Sequence, residues 1–234
     1  MKRSDNDDNV RDRHLLSSVK ETLMLKSSLV KLIRKFDKRR GYDMIYAFDE
    51  SHAFSNWEVG GPQPEMARLA DRGEIKGTIL EVGCGTGENG LYIAAHGHEV
   101  WGIDFASSAI EKAKAKARER GLKVNFMVGD VLNLQSIGRT FDSVIDVGLF
   151  HSLDPVHRQL FVPSLRSALK PGGTYHLLCI SDREPAQGNH VSHEEIMTSF
   201  NGGEWNINYI HEARLKTVNE KNGKLGWLAS ISRL

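Results

Sequence analysis

Residues 78–95 constrain the fold more than any other stretch of the chain. Thr78-Ile79-Leu80-Glu81-Val82 has strand character and runs into Gly83-Cys84-Gly85-Thr86-Gly87, after which 88–95 reads as a helix. An apolar strand that ends on glycines and reopens as a helix can turn tightly and let a ligand approach its main chain. Asp104 lies 21 residues beyond Gly83, at the end of a second strand over 99–103, with Phe105 after it. A carboxylate there accepts hydrogen bonds from both ribose hydroxyls of a nucleoside cofactor. Asp130 closes a third strand over 124–128 and is followed by Val131. Its carboxylate falls where an adenine ring is expected and can accept from the exocyclic amine.

The rhythm continues past this point. Strands are expected over 141–145, 175–180, 205–217 and 224–234, the last two around a turn containing Asn222-Gly223. Helices are expected from Pro64 through Leu69, from Ser108 to a stop at Gly121, over 156–169, and from Ser192 through Phe200. Ser108 with Glu111, and Ser192 with Glu195, read as capping boxes. The 156–169 helix ends at Lys170-Pro171-Gly172-Gly173. This alternation predicts an α/β fold: a doubly wound, mostly parallel seven-stranded sheet with one antiparallel strand, because the final turn is too short for a helical crossover. Residues 1–12 are polar and expected to be disordered. Residues 15–36 read as an amphipathic helix with a basic face, and 41–63 as an ordered loop rich in Gly, Pro and aromatics. The expected organisation is an extension over 1–40 and one domain over 41–234.

Composition narrows the function classes. With 31 Lys and Arg against 30 Asp and Glu, no global field points to nucleic acid or a membrane surface. Two cysteines, Cys84 and Cys179, make no disulfide framework or cysteine-rich metal site. With no apolar run after Met1 and no stretch long enough to span a bilayer, the cytoplasm is the expected compartment.

Gly85-Thr86-Gly87-Glu88-Asn89-Gly90 also fits the three-glycine dinucleotide pattern. In that register Glu81 has no role, and Glu88 stands at the helix start where a pyrophosphate would sit. A carboxylate there repels phosphate and suits a cofactor with an amine and a sulfonium, so methyl-donor binding is favoured. Residues 79–87 and Leu169-Lys170-Pro171-Gly172-Gly173 then resemble the first motif and the pre-strand-five turn of the seven-stranded S-adenosylmethionine-dependent methyltransferases. The resemblance extends from about Trp57 to Leu234. Trp57-Glu58-Val59-Gly60-Gly61-Pro62-Gln63-Pro64 with Asp146-Val147-Gly148-Leu149-Phe150-His151 is similar to the thiopurine and thiol or halide methyltransferase group. It implies Trp57, Gly83, Asp104, Asp130, Val131 and Val147 as cofactor contacts; Glu81, Gly85, Gly87, Phe105 and Asp146 are expected beside them. It also implies S-adenosyl-L-methionine as cofactor and a small sulfur, halide or heteroaromatic nitrogen acceptor. A small-metabolite O- or C-methyltransferase, or a binding module without transfer, is the alternative. Val59-Gly60-Gly61 departs from the tryptophan- or aspartate-rich stretch of several relatives, which leaves the acceptor open.

His151, just past the fourth strand, is the candidate general base or substrate contact, with a backbone-bonding role as its rival. Asp146 either fixes the loop near the methionine moiety or is structural. His190 and His193 have a metal-like spacing, but no further ligand is apparent and a plain helix start is favoured. Small-molecule acceptors are expected over nucleic acid, and the sequence leaves the oligomeric state open.

Overall fold

The computed structural model describes residues 38–48, 55–185 and 188–234. The expectations for residues 1–12 and 15–36 lie outside them. The described residues begin with α1 (Lys38–Phe48) and α2 (Pro64–Asp71), then β1 (Thr78–Val82), α3 (Glu88–Ala95), β2 (Glu99–Asp104), α4 (Ser107–Glu119) and β3 (Val124–Val128). A 3₁₀ segment, Val131–Ile137, leads to β4 (Phe141–Val147), α5 (Leu149–Ser152), α6 (Pro155–Ala168), β5 (Leu169–Ile180), α7 (His193–Ser199), β6 (Trp205–Leu215) and β7 (Lys224–Arg233).

The seven strands form one sheet in the order β3-β2-β1-β4-β5-β7-β6. The pairs from β3 to β5 are parallel, and β7 runs antiparallel to both β5 and β6. Interior parallel strands are apolar on both faces, as β1 and β4 are here. Ile79, Ile145, Leu178 and Leu228 pack with Met66 and Leu69 of α2 and Ile93 of α3. Leu80, Val144, Leu177 and Ala229 face the other way, against Phe161 and Leu165 of α6 and Phe200. Helices on both faces make the sheet doubly wound.

Four expectations are corrected. Residues 41–48, expected in a loop, belong to α1, where Tyr42, Ile45 and Tyr46 at i, i+3 and i+4 share one face. This helix straddles the boundary expected at residue 40. Ser108 and Glu111 make no capping box. Helix α4 opens one residue earlier, and the carboxylate of Asp43 in α1 accepts from the Ser108 N–H at 2.9 Å and its hydroxyl at 2.8 Å, while Glu111 pairs with Lys114. In α7 the Ser192 hydroxyl does accept the Glu195 N–H at 3.0 Å, but the Glu195 carboxylate pairs with Arg158. Finally, Lys170-Pro171-Gly172-Gly173 lies inside β5 as an irregularity, since the register passes from Phe141↔Leu169 to Ser143↔Thr174. Lys170 holds it by reaching Asp142 of β4 at 2.8 Å.

Candidate active site

The carboxyl ends of the parallel strands β1, β2, β4 and β5 meet in one cleft. Gly83 follows β1, Asp104 ends β2, Val147 ends β4 and Ile180 ends β5; Leu215 at the end of β6 and Lys224 at the start of β7 complete the edge. Such an edge is where open α/β sheets bind ligands.

Gly83, Gly85 and Gly87 have φ of 61°, 51° and 82°. This left-handed region strains any residue with a Cβ. A Cβ on Gly87 would also lie 2.4 Å from the Phe126 ring, and one on Gly85 2.7 Å from the Tyr46 hydroxyl. The loop is thus fixed as glycine by backbone angle and by neighbours.

Four carboxylates surround it. Asp104 is buried, and its two oxygens accept the Gly85 and Ala106 N–H groups at 2.9 Å each. Burial raises its pKa against those bonds. Glu81 is buried too, accepting from Asn89 and the Gly90 N–H at 2.9 Å, and burial raises it to about 7. Among the described residues neither has a cation opposite it, and both line the cleft. They fit a ligand that brings hydrogen-bond donors and positive charge. Glu88 does not act as expected. Lys116 at 2.7 Å and Arg120 at 2.9 and 3.0 Å neutralise it, with its pKa lowered, so its charge no longer discriminates against a pyrophosphate. Glu58 accepts from the Thr86 hydroxyl, with Lys116 at 3.9 Å.

Aromatic rings wall the glycine-loop end of the cleft. The Trp57 indole donates to the Tyr46 hydroxyl at 3.0 Å, and the Tyr42 ring lies 5.7 Å from both Trp57 and Phe105. Tyr42, Tyr46 and Glu58 were not singled out in the sequence. The i, i+4 tyrosines were the available signal for the first two, and Glu58 stands inside the quoted 57–64 motif.

The remaining expected residues divide. Val147 and His151 line the cleft. Asp130 and Val131 are not in its lining; the Asp130 carboxylate accepts the Leu132 N–H at 3.0 Å. Asp146 lies behind the cleft, fully buried. It accepts from Leu149 N–H at 2.9 Å, Phe150 N–H at 3.3 Å and the Tyr175 hydroxyl at 2.8 Å, and so caps α5. Where a loop was expected past the fourth strand, Leu149–Ser152 forms one helical turn that carries His151. The Ile180 N–H donates to His151 Nδ1 at 3.3 Å, so the neutral ring carries its proton on Nε2. Burial, then Arg158, His190 and Lys224, holds its pKa down to about 3.

Residues 79–173 match the family model described as a methyltransferase domain. Over 163 residues the chain is 35% identical to 2-heptyl-1-hydroxyquinolin-4(1H)-one methyltransferase of Mycobacteroides abscessus, covering 68% of this chain and 72% of that protein. The chain belongs to the class I S-adenosylmethionine-dependent methyltransferases. This methyltransferase also superposes, at a TM-score of 0.69 and 31% identity, on a structure solved for the conversion of a disulfide bond into a thioacetal group during echinomycin biosynthesis, covering 76% of this chain and 84% of that one. A probable thiol methyltransferase 2 of Arabidopsis thaliana is 29% identical over 120 residues, which is 50% of this chain and 53% of the relative. The methyl donor is S-adenosylmethionine. No helix among the described residues is long and apolar enough to cross a membrane.

Proposed function

We propose that this methyltransferase acts on a small heteroaromatic acceptor in the cytoplasm, with a small thiol as the second reading. One observation carries the proposal: the cleft at Asp104 and the glycine loop continues, within one lining, to Val147, Ile180 and Leu215. That end mixes the apolar Val147, Leu149, Ile180 and Leu215 with His151, Ser152, Thr217 and Lys224, and suits a small, partly apolar acceptor more than a nucleic acid or protein. The similarity to the hydroxyquinolone methyltransferase supports the heteroaromatic reading, and the Arabidopsis relative supports the thiol. The narrower likeness to the thiopurine and thiol or halide group rests on residues 57–64 and 146–151.

When bound, S-adenosylmethionine supplies an electrophilic methyl group. In this reading Asp104 holds the ribose hydroxyls, Glu81 accepts from the amino group, the bare backbone of Gly83, Gly85 and Gly87 leaves room for the amino-acid end, and Trp57, Phe105 and Val147 pack against the cofactor. Asp130 and Val131 flank the adenine from outside the present lining. The protein's task is alignment and exclusion of water. In this reading the domain takes in α1, and so starts at or before Lys38 rather than at residue 41.

The test is a methyl-transfer screen across hydroxyquinolones, heteroaromatic nitrogens, thiols, thiopurines, halides and phenols, with tRNA and lysate protein alongside. Turnover of hydroxyquinolones or heteroaromatic nitrogens above the rest is the expected result. Labelling confined to tRNA or protein refutes the reading.

A further inference from the structure

The cleft is electrically divided. At the β2–β1 end stand the carboxylates of Asp104, Glu81 and Glu88, and Glu58 lies between that end and Thr217. On the β4–β7 side, Glu58 at its margin apart, the described lining residues carry no acid, and the cationic and ring donors there are Lys224 and His151. Strands in a sheet lie about 4.8 Å apart, so Lys224 on β7 is displaced along the edge by four strands, about 19 Å, from Asp104 on β2.

The two donors are uncommitted. Lys224 makes no ion pair or hydrogen bond among the described residues, and Glu184 on the loop after β5 accepts from the neighbouring Leu225 N–H at 2.7 Å. His151 spends Nδ1 on the Ile180 N–H, which leaves Nε2–H free at the cleft wall. The charged and titratable groups that bear on it are Arg158, His190 and Lys224, with no carboxylate among them. Nearby hydroxyls are already used: Ser152 donates to Leu149 O at 2.7 Å and Thr217 to Glu220 at 3.1 Å. A cation and an N–H donor without an acceptor, beside apolar walls, match an aromatic ligand bearing one anionic atom.

We propose that Lys224 and the Nε2–H of His151 form an anion-binding pair that takes the methyl acceptor as its conjugate base. This rests on the reading of the β4–β7 end as the acceptor site. An acceptor bound in this form has left its proton in solvent, so the cleft needs no general base. Lys224 then selects acceptors acidic enough to ionise near neutral pH and disfavours neutral amines and alcohols. His151 is a positioning donor in this scheme, with its ring held by Ile180.

The experiment reads the ionisation state of a bound probe and needs no turnover. Full-length protein saturated with S-adenosylhomocysteine is titrated with 4-nitrophenol and 4-nitrothiophenol, whose anions absorb visibly, and with neutral 4-nitroanisole. In the wild type the anions are expected to bind at least tenfold tighter than nitroanisole, with the probe pKa lowered by about 1–3 units on binding, the usual effect of a cation within reach. Lys224→Met is expected to abolish that shift and weaken anion binding tenfold or more. Nitroanisole and S-adenosylhomocysteine affinities stay within about twofold, and Lys224→Arg restores most of the shift. Anions that bind no better than nitroanisole, or fail to bind, overturn the proposal. So does a Lys224→Met variant that weakens all three probes alike. If Lys224-dependent anion binding is found while the methyl-transfer screen detects no heteroaromatic product, the anion pair stands and the functional reading fails.

Discussion

Replacing Asp146 by Asn separates a structural carboxylate from a cofactor ligand. Asp146 is fully buried, with no cation in contact among the described residues, and burial raises its pKa from 3.8 to about 7 despite the Tyr175, Leu149 and Phe150 bonds. Below the unfolded pKa both states are protonated. Between that value and about 7 the native state holds a proton that the unfolded state has lost, so stability falls as pH rises through this window and is flat above it. A shift of this size, at about 1.4 kcal/mol per unit, is worth on the order of 4 kcal/mol, of which about 2 fall between pH 5 and 7. Asn keeps a carbonyl oxygen for the two N–H groups, and its amide can donate to the Tyr175 hydroxyl in reversed sense. Asp146→Asn is therefore expected to match the wild type near pH 5 and exceed it by about 2 kcal/mol near pH 8, in urea unfolding at each pH. Asp146→Ala strands three donors and is expected to lose about 3–5 kcal/mol at either pH. Glu81 has the same pH sense but is present in every variant, so the difference isolates Asp146. Equal pH slopes for wild type and Asp146→Asn would refute the reasoning. More than tenfold weaker S-adenosylmethionine binding by Asp146→Asn would restore Asp146 as a cofactor ligand.

Three further outcomes follow from the geometry. Asp104→Ala removes the acceptor of two backbone N–H groups at the cleft, and calorimetry should show S-adenosylmethionine binding weakened by about 1.5–3 kcal/mol, with no gain in NAD binding. Asp43→Ala strips α4 of its cap, and thermal unfolding should report a loss of about 1 kcal/mol, the usual worth of an N-cap. His151→Ala should keep turnover within about tenfold, the loss of a general base being about a hundredfold or more. With the His151 pKa near 3, the wild-type pH–rate profile should show no histidine ionisation around 6.5 that the variant lacks.

The sheet was legible because each strand carries its own signal: apolar runs bounded by glycine, with Asp104 and Asp130 just beyond two of them. The antiparallel strand followed from the length of one turn. What escaped depends on partners remote in sequence. Asp43 supplies the cap that Glu111 was expected to help form, 65 residues from Ser108, and no local pattern announces it. Glu88 looked like a free charge because Lys116 and Arg120 come about a helix and a strand later. Helix α1 has only one turn's worth of apolar face, Tyr42, Ile45 and Tyr46, with Gly41 inside it, too little for periodicity to register. The α5 turn is held by Asp146 and Tyr175 across β4 and β5, a pairing visible only once the strands are adjacent.

The order of the sheet also has a bearing on biogenesis. Strand β7 follows β6 in the chain yet lies between β5 and β6, bonded to both along most of its length. As residues leave the ribosome in order, β1 to β5 can pair progressively, but β5 keeps a bare edge, and β6 has no neighbour, until residues 224–233 emerge. An exposed apolar edge is a template for association with other chains. The nascent chain therefore carries this adhesive edge from the synthesis of β5 until that of β7, and the strand that covers it also delivers Lys224 to the cleft. Completion of the sheet and completion of the proposed acceptor site are a single event.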